Sequence, residues 1–284
     1  MIDLSGKTAV VTGGGSGIGS GIVGALAAAG VNVVVADIDE DAASRVADRA
    51  RSQGVSALSV SSDVSSYAEV RRLHSAVRDR FGDVHILCNN AGVSVMRRGV
   101  NADHADWEWV IGVNLWGVIH GMEVFVPGML ASGAECHIVN TASMNGLLPS
   151  ARSAMYSASK YGVVGLTETY RNELAGTPVS VSVFCPAAIR SRIDDSERSR
   201  PAHLRAPAGA PAFVPSAAYD ISPPREPEEA GELVVDGIRR KLFYIFSDVR
   251  IGPYIRERYE EMLTSLEAVR QWDDGRAGSP TEGP

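Results

Sequence analysis

The sequence is poor in cysteine and lysine and has no excess of positive charge. Its three cysteines, Cys88, Cys136 and Cys185, lie in or beside apolar runs and show no metal-ligand spacing. We therefore expect buried thiols in a reducing compartment and predict no metal site. The net charge of -7 disfavours nucleic acid and anionic membrane surfaces as main partners. The six histidines form no triad or ligand pattern, and we expect them to be structural.

Long apolar runs and targeting signals are also missing. We expect no apolar stretch to reach the length of a membrane span. The N-terminal letters MIDLSGKTAVVTGGG lack a basic region and do not resemble a signal peptide. A P-loop is excluded, because the glycine required five residues before Gly6 would fall on Met1. We therefore expect a cytoplasmic protein that acts on a small molecule.

Short β-branched runs alternate with longer segments of helical period. Several runs are apolar without strict alternation, which is typical of strands covered by helices on both faces. This alternation predicts an α/β fold with a parallel sheet between two helical layers. The predicted strands are 7–13, 31–38, 55–63, 83–92, 136–143, 179–186 and 242–248, and the predicted helices are 17–29, 40–53, 66–80, 103–132, 154–174 and 226–240.

No break in composition marks a second domain, so residues 1–272 are predicted to form one domain. Residues 186–227, rich in Pro, Ala, Ser and Arg, are too long for an ordinary connection. They follow the sixth strand, at the edge where open α/β sheets bind ligands, which predicts a substrate lid. A helix is predicted at 253–272, and residues 273–284 are predicted to be disordered. The helix carries an apolar stripe for packing on the domain or on a partner subunit, formed by Tyr259, Met262, Leu263, Leu266 and Val269.

A glycine-rich turn joins the first predicted strand to the first predicted helix. Such a turn lets the backbone approach a pyrophosphate, whose charge meets N–H groups at the positive end of the helix dipole. Gly13, Gly17 and Gly19 are spaced one residue wider than in the common G-x-G-x-x-G motif. Asp37 follows about twenty residues later, where a carboxylate accepts hydrogen bonds from ribose hydroxyls and repels a 2′-phosphate. NAD is therefore favoured over NADP, with Asp39 as the competing acidic residue.

Further short motifs follow the glycine turn in a fixed order. They are TGGGSGIG (12–19), DV (63–64), NNAG (89–92), Asn114 in VIGVNLWG, Ser143 in NTASMNG and YSASK (156–160). With these motifs over most of residues 5–192, the chain resembles the classical branch of the short-chain dehydrogenase/reductase family. The resemblance implies a doubly wound Rossmann fold with a seven-stranded parallel sheet, and an oxidoreductase that uses a nicotinamide dinucleotide.

The resemblance also implies roles for single residues. After the sixth strand, where the family commonly has Asn-x-Pro-Gly-x-Val-x-Thr, this chain reads FCPAAIRS. Ala187 replaces the glycine, and Ser191 stands in for the threonine that contacts the carboxamide. The implied catalytic set is Asn114, Ser143, Tyr156 and Lys160. By the same resemblance, Asp63 and Val64 contact the adenine, and Asn90 stabilises the sheet beside the cofactor. The implied cofactor contacts are Gly13, Ser16, Gly17, Ile18, Gly19, Asp37, Asp63, Val64, Asn90, Ala91, Gly92, Tyr156, Lys160, Pro186, Ile189 and Ser191.

Two tyrosines flank a lysine in MYSASKYG (155–162). Residues four apart share a helix face, so Lys160 is expected to lie under Tyr156 and not under Tyr161. A phenol titrates near pH 10, so a base at neutral pH needs a pKa lower by about three units, or roughly 4 kcal/mol. We expect the lysine ammonium and the positively charged nicotinamide ring to supply this shift together.

These residues predict an enzyme that interconverts a secondary alcohol and a ketone, with Tyr156 as the acid/base. Ser143 is expected to hydrogen-bond the substrate oxygen, and Lys160 is expected to bind the nicotinamide ribose. By resemblance, Asn114 would hold a water that links Lys160 to solvent. The alternative is a non-catalytic NAD-binding sensor or scaffold protein, which would not need the tyrosine.

The substrate pocket is expected to be lined by residues 92–98, by residues 144–153 and by the lid. An apolar alcohol or ketone is favoured by Val93, Met96, Leu147, Leu148, Phe213 and Tyr219, whereas a carboxylate would be met by Arg97, Arg98, Arg152 and Arg190. Trp107, Trp109 and Trp116 are expected to be core or interface aromatics. The resemblance further implies a homotetramer, or a dimer, that pairs helices 103–132 and 154–174.

Overall fold

Seven parallel strands form one sheet in the computed structural model, which describes residues 3–95, 97, 99–205 and 219–277. The order across the sheet is 3-2-1-4-5-6-7, and each neighbouring pair is parallel. This is a Rossmann-like sheet, and the predicted fold class is confirmed. In chain order the strands are β1 (Thr8–Thr12), β2 (Asn32–Asp37), β3 (Ala57–Ser61), β4 (Ile86–Asn89), β5 (Cys136–Thr141), β6 (Val179–Cys185) and β7 (Tyr244–Phe246).

Helices connect the strands and cover both faces of the sheet. In chain order they are α1 (Gly17–Ala28), α2 (Glu40–Ser52), α3 (Tyr67–Phe81), α4 (His104–Ile111), α5 (Gly117–Ser132), α6 (Ala154–Glu173), α7 (Pro227–Arg240) and α8 (Gly252–Ala277). One face packs against α1, α2 and α7, and the other packs against α3, α5 and α6.

Neighbouring residues of each strand belong to opposite layers of the core. Val11 and Ile86 point to the layer of α1 and α7, whereas Val10 and Leu87 point to the layer of α3 and α5. All four side chains are essentially inaccessible to solvent. Both faces therefore need apolar side chains, which explains why these strands lack polar alternation.

The helix predicted at 103–132 is one continuous helical run with a π-helical turn at its centre. The turn spans Gly112–Trp116 and separates α4 from α5. His104–Ser132 is long and apolar enough to cross a membrane, with a mean hydropathy of 1.4 over its most apolar window, of which 56% is buried. The expectation that no stretch reaches this length is therefore wrong. Burial of that window is consistent with a core helix.

The C-terminal helix α8 continues five residues beyond its predicted end. It begins at Gly252 and continues to Ala277, so residues 273–277 are helical and not part of a tail. Asp273 and Asp274 are modest helix formers, but each residue added to an existing helix contributes a hydrogen bond without a new nucleation cost. The predicted apolar stripe is exposed along this helix. Residues 278–284, the rest of the predicted tail, lie outside the described residues.

Candidate active site

The parallel strands end at one edge of the sheet, where a cleft of about 770 Å³ opens. Its walls are built from the turns that follow β1, β2, β4 and β6, together with the start of α6. This is the edge at which open α/β sheets bind their ligands. The predicted residues that line the cleft are Gly13, Ser16, Gly17, Ile18, Gly19, Asp37, Asp63, Val64, Asn90, Ala91, Gly92, Tyr156, Lys160, Pro186 and Ser191.

The glycine turn admits no larger residues at its narrowest points. Gly13 has a φ of +61°, and a Cβ atom added there would lie 2.7 Å from the Cα of Ala91. A Cβ atom at Gly19 would lie 2.0 Å from the carbonyl oxygen of Gly13. Ser16 precedes α1 in an extended conformation and does not cap the helix with its side chain. The first N–H groups of α1 are thus directed to the cleft without a side-chain acceptor.

Asp37 is held at the end of β2 by the glycine turn itself. Its Oδ2 accepts a hydrogen bond of 2.8 Å from the Gly15 N–H, and its Oδ1 accepts one of 3.0 Å from the Asp39 N–H. The competing candidate, Asp39, caps α2 through a hydrogen bond of 2.9 Å from the Ala42 N–H. Both carboxylates line the cleft, but the one adjoining the glycine turn is Asp37.

Asn90 ties β1 to β4 under the cleft. Its side-chain amide donates to the backbone oxygens of Thr12 and Gly13, at 3.0 and 3.3 Å, and its own N–H donates to the Thr12 hydroxyl at 2.9 Å. These contacts brace the glycine turn and agree with the stabilising position that the resemblance implies.

Ser143 and Tyr156 meet at the end of β5. Ser143 follows β5 and accepts a hydrogen bond of 3.1 Å from the Asn145 N–H. Its hydroxyl also lies near the phenol of Tyr156 on the facing turn of α6. Burial raises the pKa of Tyr156, and the nearby Ser143 hydroxyl offsets part of that rise.

Lys160 lies one helical turn beyond Tyr156, as predicted from their spacing. Its Nζ is 5.6 Å from the Tyr156 ring centroid and donates a hydrogen bond of 2.8 Å to the carbonyl oxygen of Thr141. The side chain is buried, and burial lowers the pKa of Lys160 to about 8. In contrast, Tyr161 turns away from this face and donates to the carbonyl oxygen of Leu147.

The predicted lowering of the tyrosine pKa is not found in the protein alone. Loss of hydration outweighs the effect of the Ser143 hydroxyl at Tyr156, and the ammonium of Lys160 is directed to the Thr141 carbonyl. Burial without a closer positive charge disfavours the phenolate. The lysine therefore does not by itself make this tyrosine a base at neutral pH.

Asn114 is fully buried at the centre of the π-helical turn. Its Oδ1 accepts from the Val93 N–H at 2.8 Å, and its amide donates to the Val93 carbonyl at 2.9 Å and to the Ser159 hydroxyl at 3.1 Å. Its side chain thereby fixes the loop after β4 against α6. Asn114 does not line the cleft.

One predicted cofactor contact is placed elsewhere by the fold. Ile189 packs on the core under α1 and α7, because Ala188 and Arg190 pair with the backbone of Arg225. It does not line the cleft among the described residues.

The predicted substrate residues divide in the same way. Val93 lines the cleft, but Leu147, Leu148 and Tyr219 pack into a separate cluster with the start of α8. Two predicted anion-binding arginines are engaged in ion pairs: Arg97 lies 2.7 Å from Asp106, and Arg190 lies 2.7 Å from Glu226. Met96, Arg98 and Phe213, together with residues 206–218 of the predicted lid, lie outside the described residues.

Part of the predicted lid, residues 191–204, lines one wall of the cleft. Sequence reasoning did not single out the basic residues of this wall, which are Arg192, Arg198, Arg200 and His203. Trp109, expected to be a core or interface aromatic, is almost fully buried and also lines the cleft. The arginine-rich letters SRIDDSERSRPAHLR were the signal available for this wall.

The residues of the cleft fit a nicotinamide dinucleotide. The uncapped start of α1 is complementary to a pyrophosphate, the Asp37 carboxylate to ribose hydroxyls, and the buried Lys160 ammonium to further hydroxyls. A volume of about 770 Å³ is within the range of cofactor sites. Among the described residues, no group of three or more potential metal ligands occurs.

Comparison with known proteins agrees with this geometry. The model of the short chain dehydrogenase family matches residues 7–202. C alpha-dehydrogenase from Sphingobium sp. is 31% identical over 282 residues, which cover 97% of this chain and 91% of that protein. The 1-deoxy-11-beta-hydroxypentalenate dehydrogenase of Streptomyces avermitilis is also 31% identical, with 97% of each chain covered.

A solved structure shows the same similarity. A short-chain dehydrogenase/reductase from Burkholderia phymatum in complex with NAD is 37% identical, covers 93% of this chain and 97% of its own, and superposes with a TM-score of 0.86. The chain therefore belongs to the short-chain dehydrogenase/reductase family, whose members are oxidoreductases acting on CH–OH donors.

Proposed function

We propose that the protein is an NAD-dependent dehydrogenase that interconverts a secondary alcohol and a ketone, with Tyr156 as the acid/base. The observation that carries the proposal is that Tyr156 and Lys160 line a cleft that fits a dinucleotide, with Ser143 beside the Tyr156 phenol. A structural tyrosine would need neither the serine nor the buried lysine beside it.

In this proposal each side chain has a distinct task. Tyr156 takes the hydroxyl proton of the alcohol and returns it in the reverse reaction. Ser143 donates a hydrogen bond to the substrate oxygen as charge develops on it. Lys160 holds a cation under the phenol and reaches the cofactor ribose. When bound, the oxidised nicotinamide accepts a hydride from the alcohol carbon and brings a positive charge to the site.

The raised pKa of Tyr156 in the cofactor-free protein supports an order of events in which the cofactor binds before Tyr156 acts as a base. Burial keeps the phenol protonated, so positive charge added beside Tyr156 on cofactor binding must supply the stabilisation of the phenolate. Tyr156 would then act as a base only in the cofactor complex. The Asn114 side chain already hydrogen-bonds Val93 and Ser159. In this proposal, a water that links Lys160 to solvent would therefore bind the remaining lone pair of the Asn114 side chain or its backbone carbonyl.

NAD is the proposed cofactor because Asp37 adjoins the glycine turn. A carboxylate there accepts bonds from the ribose hydroxyls and repels a 2′-phosphate. The NAD complex of the Burkholderia phymatum relative supports the same choice.

An apolar alcohol or ketone is the proposed substrate class. Val93, Trp109 and Leu204 bring apolar surface to the cleft near the tyrosine, whereas Arg97 and Arg190 are committed to carboxylates of the protein. The names of the relatives, dehydrogenases of a pentalenate and of a C alpha position, are compatible with a secondary alcohol on a bulky body.

The proposal is tested with Tyr156→Phe and a panel of secondary alcohols. We expect NADH formation by the wild type, no turnover by the variant, and NAD affinities that agree within about twofold, because the phenol is one of many cofactor contacts but the proposed acid/base of the reaction. Substantial turnover by Tyr156→Phe would refute the assignment. NAD binding without turnover of any alcohol would favour the alternative, a sensor or scaffold protein.

We also propose a single domain over residues 1–272, a cytoplasmic location and assembly into a homotetramer or dimer. The exposed stripe on α8, with side chains from Tyr259 to Val269 between 51% and 65% exposed, supports assembly because surfaces of this kind mark interfaces. Light scattering that reports a monomer would refute it.

A further inference from the structure

A buried cluster of two arginines and one aspartate joins distant parts of the chain beside the cleft. Asp106, on α4, is fully buried, and its Oδ1 lies 2.8 Å from Nη2 of Arg200. Its Oδ2 lies 2.7 Å from Nη1 of Arg97. The side chains of Arg200 and Arg97 are 1% and 9% exposed. One carboxylate therefore balances two buried cations.

Arg200 organises the chain around it. Its Nε donates to the carbonyl oxygen of Leu204, its Nη1 lies 3.0 Å from Glu197, and its guanidinium lies 5.0 Å from the Trp109 ring centroid. Its Nη2 faces Asp106 as an ion pair that does not meet hydrogen-bond geometry. Arg200 is in this way a structural cation and not a free ligand for substrate.

Residues 191–204, which we call the cover segment, cross the cleft from the glycine turn to α4. At one end, a Cβ atom on Gly17 would lie 2.9 Å from the Cβ of Ser191. In the middle, the Ser196 hydroxyl accepts a hydrogen bond of 3.0 Å from the Ser94 N–H. At the other end, Arg200 reaches Asp106.

The anchor at Asp106 differs from the other ion pairs of the cover segment. The carboxylate of Glu197 is 59% exposed, and water can replace the arginine as its partner. Asp106 and Arg200 are both inaccessible to water in this structure, so opening the cover segment would separate two buried charges. The buried pair therefore resists opening, whereas the exposed one does not.

We propose that Asp106 is a positioning residue that, through Arg200, holds the cover segment across the cleft and so slows the exit of the cofactor. Asp106 itself does not line the cleft. The role rests on the proposed binding of NAD, because the cover segment closes over the same cleft.

Two variants break the anchor, and one variant serves as the matched control. Asp106→Asn removes the shared charge and leaves two buried arginines. Arg200→Met removes the link from the other side and leaves the neutral pair of Asp106 with Arg97, so it folds without an unpaired buried charge. Glu197→Gln makes the same change of charge as Asp106→Asn, but on the exposed partner of the same arginine.

Backbone hydrogen exchange of the full chain without cofactor is the first measurement. We expect amides 193–204 to exchange about tenfold faster, or more, in Asp106→Asn and Arg200→Met. Amides of α7, far from the cluster, should keep their wild-type rates, and Glu197→Gln should change segment 193–204 by about twofold at most. Wild-type exchange of the segment in Arg200→Met, or equal acceleration in Glu197→Gln, would overturn the proposal.

NADH displacement in a stopped-flow fluorimeter is the second measurement. We expect dissociation about tenfold faster, or more, from Arg200→Met, and within about twofold of wild type from Glu197→Gln. Unchanged dissociation in Arg200→Met would overturn the cofactor part of the proposal. A wild-type chain that binds no NADH would refute the proposed function, and the exchange rates of the cofactor-free protein would still decide whether Asp106 anchors the cover segment.

Discussion

Replacing Lys160 with methionine should separate the role of the lysine in catalysis from its effect on the stability of the fold. Lys160 is buried, and its pKa falls from the ordinary value of 10.5 to about 8 in the folded protein. Its folded pKa lies below its unfolded pKa, so the unfolded state binds more protons between pH 8 and pH 10.5 and wild-type stability rises with pH over that window. Below pH 8 the folded protein retains the full cost of a buried ammonium.

The magnitude follows from the pKa shift. One pKa unit corresponds to about 1.36 kcal/mol, so this group should raise the wild-type free energy of unfolding by about 2.5 kcal/mol between pH 7 and pH 10. Lys160→Met lacks this contribution. The variant also loses the hydrogen bond to the Thr141 carbonyl, which costs about 1–3 kcal/mol at every pH.

Comparing the free energies of unfolding of the two proteins at the two pH values isolates the contribution of the lysine charge to stability. Urea denaturation of the cofactor-free wild type and of Lys160→Met should give a stability difference that shifts by about 2.5 kcal/mol against the variant from pH 7 to pH 10. The hydrogen-bond loss cancels, because it is present at both pH values. The variant should have lost turnover. A stability difference that is the same at pH 7 and pH 10 would refute the claim that Lys160 is a buried charge.

Three further predictions concern cofactor choice, cofactor binding and acid stability. Asp37→Ala should weaken NAD and strengthen NADP, measured as the ratio of the two dissociation constants, and an unchanged ratio would contradict the role of Asp37. Gly19→Ala should abolish NAD binding in calorimetry, because its Cβ would lie 2.0 Å from the Gly13 oxygen, whereas Gly24→Ala, in open space on the same helix, should bind normally. Burial lowers the pKa of His137 from 6.5 to about 4, so this group should cost about 2.5 kcal/mol of stability as the pH falls from 7 to 4.5. His137→Gln should remove that loss in urea denaturation, and an identical acid slope in both proteins would contradict it.

The sheet and the tyrosine–lysine pair could be predicted because each rests on local periodicity. The apolar runs without alternation indicate strands such as β1 and β4, buried on both faces, and the spacing of Tyr156 and Lys160 places them on one face of α6. The turn after β1 is also local, because Gly13 lies in the connection from β1 to α1 and Gly19 lies in the first turn of α1.

The contacts that could not be predicted join segments far apart in the chain. Asp106 brings together residues 97 and 200, and nothing in the local sequence pairs them. Leu148 looks like a pocket residue in sequence, but the start of α8 buries it. The pKa of Tyr156 depends on the balance of burial against charge, which a spacing argument does not measure.

Transfer of deuterium from substrate to cofactor tests the central proposal most directly. Wild type and Tyr156→Phe are incubated with NAD and a secondary alcohol deuterated at its carbinol carbon, and the mass of the reduced cofactor is measured. We expect NADH that carries the substrate deuterium with the wild type and none with Tyr156→Phe. Reduced cofactor without the label, or equal labelled product from both proteins, would contradict direct hydride transfer with Tyr156 as the acid/base.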